Sequence, residues 1–259
     1  ATATVISNFF SACMILYFLT LEEEMLRLDL RKLRIRWEYL LGIIKIGLPA
    51  GLQSMVFSLS NVVIQAAINS FGSDGIAGST AEQNFEFMAY FVINAFAQTA
   101  TTFTSQNFAA QDKERCKKIY RLCTFIGLAS CFGLSLIFLI GRHLFIQIFS
   151  TDENVIHYAM IRMWSVCLLE LLTGVYEISG GCLRGMGHSM TPAVITVLGT
   201  CVFRLVWVNT IYVAHRSYIM LMIVYPVSWV ITGTAVTVAY FITRRKEFAQ
   251  IGKRRADII

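Results

Sequence analysis

Five stretches of this 259-residue chain, 1–21, 46–73, 87–111, 122–141 and 217–243, contain no Asp, Glu, Lys or Arg. Each is about 20 residues or longer, and at about 1.5 Å per residue a helix of that length crosses a hydrocarbon core about 30 Å thick. The composition points the same way, with 56% hydrophobic and 15% charged residues, where a soluble domain carries about 45–50% and about 25%. The runs are too long and continuous for barrel strands, which show about ten residues of alternating polarity. Helices, which pair every backbone group within their own segment, are the open-chain alternative. The fold class is therefore all-α and polytopic.

With polar punctuation taken into account, seven transmembrane helices are predicted, at about 1–20, 41–71, 78–107, 119–141, 155–184, 191–213 and 217–243. Between the first two lies a cytoplasmic segment, 21–40, in which Leu and Ile alternate with Arg and Lys from Leu26 to Tyr39. That pattern fits an amphipathic piece on the inner leaflet, with a flexible linker as the alternative. Residues 41–243 then form a six-helix transmembrane unit and 244–259 a basic tail. The basic residues divide sharply by side. Arg27, Arg31, Lys32, Arg34, Arg36, Lys113, Arg115, Lys117, Lys118, Arg121, Arg184 and six in the tail fall on one side, against Arg142 and Arg216 on the other. Such a bias places the first side, and the C-terminus, in the cytoplasm. The net charge of +6 thus reads as topology, and no basic patch interleaved with aromatics suggests nucleic acid. Ala1 opens directly on an apolar stretch without a basic lead-in, the pattern of a fragment that starts inside a membrane helix.

Enzyme signatures are missing. His143, His157, His188 and His215 lie at or near predicted helix ends, and there is no H-E-x-x-H, nucleophile elbow or phosphate-cradling loop. The seven cysteines are scattered without a C-x-x-C pair and read as reduced, small apolar residues. No metal site or cofactor is expected.

Polar residues inside the spans carry the functional signal. On the fifth helix, at 100° per residue from Arg162, Glu170 falls at about 80°, Thr173 at about 20°, Glu177 at about 60° and Arg184 at about 40°. One face carries all of them, and it must look onto protein or water. Glu177, about 10 Å deep from Arg184, has no evident basic partner at its depth. A desolvated carboxylate there could bind and release a proton or hold a cation. Glu170, nearer the midplane, is either a second such group or the structural ion-pair partner of Arg204 on the sixth helix. On the second helix Ser54, Ser58, Asn61, Gln65 and Asn69 share an arc of about 80°, as do Gln83, Tyr90, Asn94, Gln98, Thr101 and Ser105 on the third. Such stripes are either glue between helices or walls of a watery cavity, and three of them together favour the cavity. Gln53, Asn61, Gln65, Asn94 and Gln98 are its expected lining. Glu82 and Glu86, in the outer turns of the third helix, read as interfacial carboxylates.

Five motifs carry a resemblance. Gly47-Leu-Pro-Ala-Gly51, Ala97-Gln-Thr-Ala-Thr-Thr-Phe-Thr-Ser-Gln-Asn-Phe108, Gly181-Cys-Leu-Arg-Gly-Met-Gly187 followed by Pro192, Phe203-Arg-Leu-Val-Trp207 and Tyr225-Pro-Val-Ser-Trp229 resemble, in order, the second half of multidrug and toxic compound extrusion (MATE) transporters. The resemblance implies two six-helix lobes about a substrate cavity, exchanging cationic or amphipathic compounds for Na+ or H+. The first helix here would end the first lobe, the other six would form the second, and most of the first lobe would be a missing partner. Where some members carry an acid on the second helix, this chain has Gln53, Asn61, Gln65 and Asn69. Glu177 lies one residue from an acidic position of the family. The implied protein is a multi-pass component of a bacterial cytoplasmic membrane, whose partners are the drugs, the bilayer and the missing lobe. Alternatives are a lipid-linked oligosaccharide flippase, with Arg162, Arg204 and Lys45 supplying its basic cavity, or a non-transporting scaffold.

Overall fold

In a computed structural model, residues 2–22, 27–29 and 34–256 are described, and among them there is helix and turn but no strand. Two compact units divide the chain, 1–44 and 45–259. The first holds α1 (Thr2–Leu21), a 20-residue apolar helix with no buried residue, at whose end the Leu28 N–H donates back to the Leu19 carbonyl at 2.8 Å. Of the amphipathic segment expected from Leu26 to Tyr39, residues 26 and 30–33 lie outside the described residues, and α2 (Trp37–Asn69) already begins at Trp37.

The second unit is built on α3 (Gly72–Ala109), which packs against α4 (Lys113–Ile140), α6 (Glu153–Ser165) and α7 (Leu171–Gly185); α5 (Arg142–Gln147) links α4 to α6. The buried face of α3 runs through Gly75, Gly78, Ala81, Phe85, Ala89, Ile93, Ala97 and Ala100 at helical spacing. Small residues let backbones approach closely where lipid supplies no hydrophobic drive between helices. A Cβ on Gly181 of α7 would lie 2.6 Å from the Ala97 carbonyl oxygen of α3. Asp112 caps α4 by accepting from the Arg115 N–H, and Asp152 caps α6 by accepting from the Asn154 N–H. At the end of α7, Gly187 takes φ +89° and His188 donates to the Leu183 carbonyl. This Schellman turn reverses the chain into α8 (Met190–Thr196).

Two expected helices are interrupted. The span 155–184 breaks into α6, a 3₁₀ turn at Cys167–Leu169 and α7. The span 191–213 alternates α8, a π-helical stretch Val197–Val202, α9 (Phe203–Trp207) and a second π stretch Val208–Tyr212. A uniform 100° advance therefore does not carry through either one. The chain closes with α10 (Tyr218–Met222) and α11 (Val224–Ala256). Six described segments are long and apolar enough to cross a membrane; the 38-residue α3 is long enough, but its polar stripe keeps it out of that group.

Candidate functional site

Within the second unit two cavities share a wall. Ile64 and Ile68 of α2 are buried in the core, while its stretch from Gln53 to Ser58 is half-buried or exposed and lines open space. The first cavity, about 410 Å³, takes Asn61 and Gln65 from α2, Gln83 and Glu86 from α3, Arg162 from α6, Glu170 and Thr173 from α7, and Arg204 from α9. The second, about 640 Å³, takes Gln53, Ser54 and Ser58 from α2, Asn94, Gln98 and Thr101 from α3, and Glu177 and Arg184 from α7. Phe57, Tyr90 and Tyr176 line both.

The nine residues expected as coupling, binding or lining groups thus all face one or other cavity, in two groups. Glu170, Thr173, Arg204, Asn61 and Gln65 meet in the first; Glu177, Gln53, Asn94 and Gln98 meet in the second. Lys45 is exposed and lines neither.

Two charge assignments differ from the sequence expectation, and an alternative it left open is decided. Glu82 and Glu86 are ion-paired within the helix packing: Arg162 reaches from α6 to both, with Nε 2.5 Å from Glu82 Oε2 and Nη2 2.6 Å from Glu86 Oε2. The approach depends on Gly78, where a Cβ would lie 2.6 Å from the Val155 carbonyl of α6. Glu177 does have a basic partner, since Arg184 Nη2 lies 3.5 Å from its Oε2. The pair is two turns apart on one face, and helical side chains lean toward the N-terminus, so the long arginine spans the gap. Glu170 and Arg204, in turn, form no ion pair within 4.0 Å. Glu170 Oε1 accepts from the Thr173 hydroxyl at 3.1 Å, and its Oε2 is buried without a hydrogen-bond partner. Arg204 donates to Ser228 Oγ at 3.1 Å and Asn61 Oδ1 at 3.4 Å, and its guanidinium lies 4.4 Å from the Tyr225 ring centroid.

The carboxylates of α3 went unread as site residues because their partner is 76 residues away from Glu86 in sequence. One signal was available: a lone Arg162 within a span demands a counter-charge at its own depth. Tyr225 and Trp229 of α11, which also line the first cavity, appeared in the sequence only as parts of a motif.

Membrane-length helices enclosing polar cavities with carboxylates and arginines on their walls define a polytopic membrane protein. The profile of the MatE family matches residues 49–209, and the chain belongs to that family. It is 23% identical over 207 residues to the probable multidrug resistance protein NorM of Thermotoga maritima, covering 79% of this chain and 44% of that protein. It is also 23% identical over 199 residues to the multidrug export protein MepA of Staphylococcus aureus, covering 76% and 44%. The chain thus spans about half the length of the curated relatives it matches. Among solved structures, the outward-facing conformation of a multidrug resistance MATE family transporter superimposes with a TM-score of 0.79 at 18% identity, over 97% of this chain and 56% of that one. A MOP superfamily transporter from Pyrococcus furiosus, described as having a binding pocket of reverse polarity, gives 0.75 at 18% identity, over 97% and 56%.

Proposed function

We propose that this chain is the second-lobe part of a cation-coupled antiporter, using Na+ or H+, that exports cationic or amphipathic drugs by alternating access. The observation that carries this reading is Glu177: a carboxylate 16% exposed, held by one arginine at 3.5 Å, on the wall of a 640 Å³ cavity whose other lining residues are uncharged amides, hydroxyls, aromatic rings and small residues. Amides and hydroxyls from Gln53, Ser54, Ser58, Asn94 and Gln98 give water and solute a polar passage without fixing them by charge. Glu170, with one oxygen satisfied by Thr173 and the other free, is the second candidate.

In the proposed cycle the two lobes rock about the cavity. Facing outward, the lobe releases drug and admits the coupling cation to Glu177; facing inward, drug from the cytoplasm or inner leaflet competes for the same carboxylate. Arg184 keeps the vacated carboxylate from standing alone in a low-dielectric wall, which lowers the cost of the empty state. The protein is multi-pass in a bacterial cytoplasmic membrane, with the basic loops and C-terminus in the cytoplasm, and the first lobe is the partner that completes the cavity. The flippase alternative is weakened because Glu82 and Glu86 neutralise Arg162. Replacing Glu177 with Gln in the complete transporter is expected to abolish cation-coupled ethidium efflux at unchanged expression. Efflux at the wild-type rate removes Glu177 from the mechanism.

A further inference from the structure

A further groove, about 380 Å³, opens between α7 and α11 on the side of α7 turned from Thr173 and Tyr176. Leu172 and Val175 of α7 form one wall, and Val230, Gly233, Thr234 and Val238 of α11 form the other. Val230 and Val238 are 53% and 52% exposed, so in a membrane the groove meets hydrocarbon. Its floor is low because Gly233 has no side chain; the nearest atom to a Cβ there would be Val175 Cγ1 at 3.5 Å. The hydroxyls along it are already engaged. Thr234 Oγ1 donates to the Val230 carbonyl at 2.8 Å, and Thr237 Oγ1 shares a hydrogen bond with Ser179 Oγ at 3.2 Å. An unfilled gap of this kind forfeits dispersion contacts, and close van der Waals packing is what drives association inside lipid.

The end of the groove is cationic. At 100° per residue from Val230, the groove face of α11 runs from Gly233 at about 300° to Val238 at about 80°, and Phe241 at about 20°, Arg244 at about 320° and Arg245 at about 60° continue it. The Arg244 guanidinium lies 4.7 Å from the Phe241 ring centroid and 5.3 Å from that of Tyr240, which occupies its flat face and leaves its edge for an anion. Among the described residues neither arginine forms an ion pair within 4.0 Å. The neighbouring acid Glu247, at about 260° on the helix, pairs instead with His188 at 3.1 Å. At about 1.5 Å per residue, Val238 lies about 9 Å and Val230 about 21 Å from Arg244 along the axis, the depth of the far half of an acyl chain in a core about 30 Å thick.

We propose that this groove, with Arg244 and Arg245, is a binding site for one anionic phospholipid from the leaflet at the C-terminal end of α11. The guanidinium edges hold the phosphate, as their fork geometry suits, and one chain lies over Gly233 against Leu172 and Val175. Trp229, 3% exposed, lines both this groove and the first cavity, so the bound chain supports the back of an aromatic wall of that cavity.

The test uses dioleoyl phosphatidylglycerol and dioleoyl phosphatidylcholine, which share their chains and differ in head-group charge. Each is titrated into the complete transporter, delipidated in detergent, and the first lipid bound is followed by native mass spectrometry. In the wild type phosphatidylglycerol is expected to bind about ten-fold or more tighter, the scale of two arginines near an anionic head group. Arg244→Gln/Arg245→Gln is expected to remove that preference and leave phosphatidylcholine binding in place. Thr234→Trp, at an exposed position, fills the groove and is expected to weaken both lipids. Equal wild-type affinities overturn the proposal without any variant. It is overturned as well if the arginine variant keeps the preference, or if Thr234→Trp binds phosphatidylglycerol like wild type, the signature of surface charge attraction with no seat for the chain. Lipid retention is read directly, so the outcome is independent of the drug-export reading.

Discussion

The contact of α7 with α3 rests on backbone proximity, and Gly181→Ala measures it. The added Cβ would meet the Ala97 carbonyl oxygen at 2.6 Å and Thr101 Oγ1 at 3.0 Å. Ordinary van der Waals contact begins at 3.4 Å, and the closest obstruction is backbone, so the helices must part by several tenths of an ångström. A radial gap of about 0.5–1 Å forfeits roughly a quarter to a half of each contact's dispersion energy. Side chains buried near this seam, among them Ala97, Ala100, Ile178 and Cys182, all lose contact together. Overpacking of this kind costs about 1–3 kcal/mol, from which the helix preference for Ala over Gly returns up to about 1 kcal/mol. The net expectation is a loss of about 1–2 kcal/mol. Six of the seven cysteines are buried, so thermal unfolding in detergent can be followed by a thiol-reactive fluorophore. Gly133→Ala in α4, where a new Cβ meets nothing within 4 Å, is the control and should be neutral or stabilising. A Gly181→Ala protein that unfolds at or above the wild-type temperature would refute the close-packing argument.

The same assay tests the buried triad: Arg162→Met leaves two carboxylates facing each other and should cost about 3–5 kcal/mol, while Glu82→Gln/Glu86→Gln/Arg162→Met should recover most of that loss. A single mutant that unfolds like wild type would show that the triad contributes nothing. Water access separates cavity from glue. In a background without native cysteines, Cys at Gln98 or Asn61 should react with a membrane-impermeant thiol reagent, and Cys at Phe125, 74% exposed on the outer face of α4, should not. No labelling at either polar position would assign the stripes to interhelical contact. With Glu177→Gln, these experiments address packing, charge, access and coupling separately.

The amino-acid sequence determined the fold class and much of the cavity lining because lipid enforces strict rules on single helices. A span must be apolar for about 20 residues, and its polar groups must gather on the face turned from lipid. Hence Asn61, Gln65, Asn94 and Gln98 could be placed on polar stripes by angle alone, and Glu177 on the polar face of α7. The Glu177–Arg184 pair was also within reach, being two turns apart on one face. Tertiary structure decided which charges meet. Arg162 finds Glu82 and Glu86 because α6 docks on α3 at Gly78, a contact between segments far apart in sequence that no periodicity encodes. It also split the polar interior into two cavities around Phe57, Tyr90 and Tyr176, and the helix breaks near Glu170 and Arg204 changed the azimuths that a regular helix predicts. Pairing depends on distances between helices, and those are set by how the small residues of one surface fit the backbone of another.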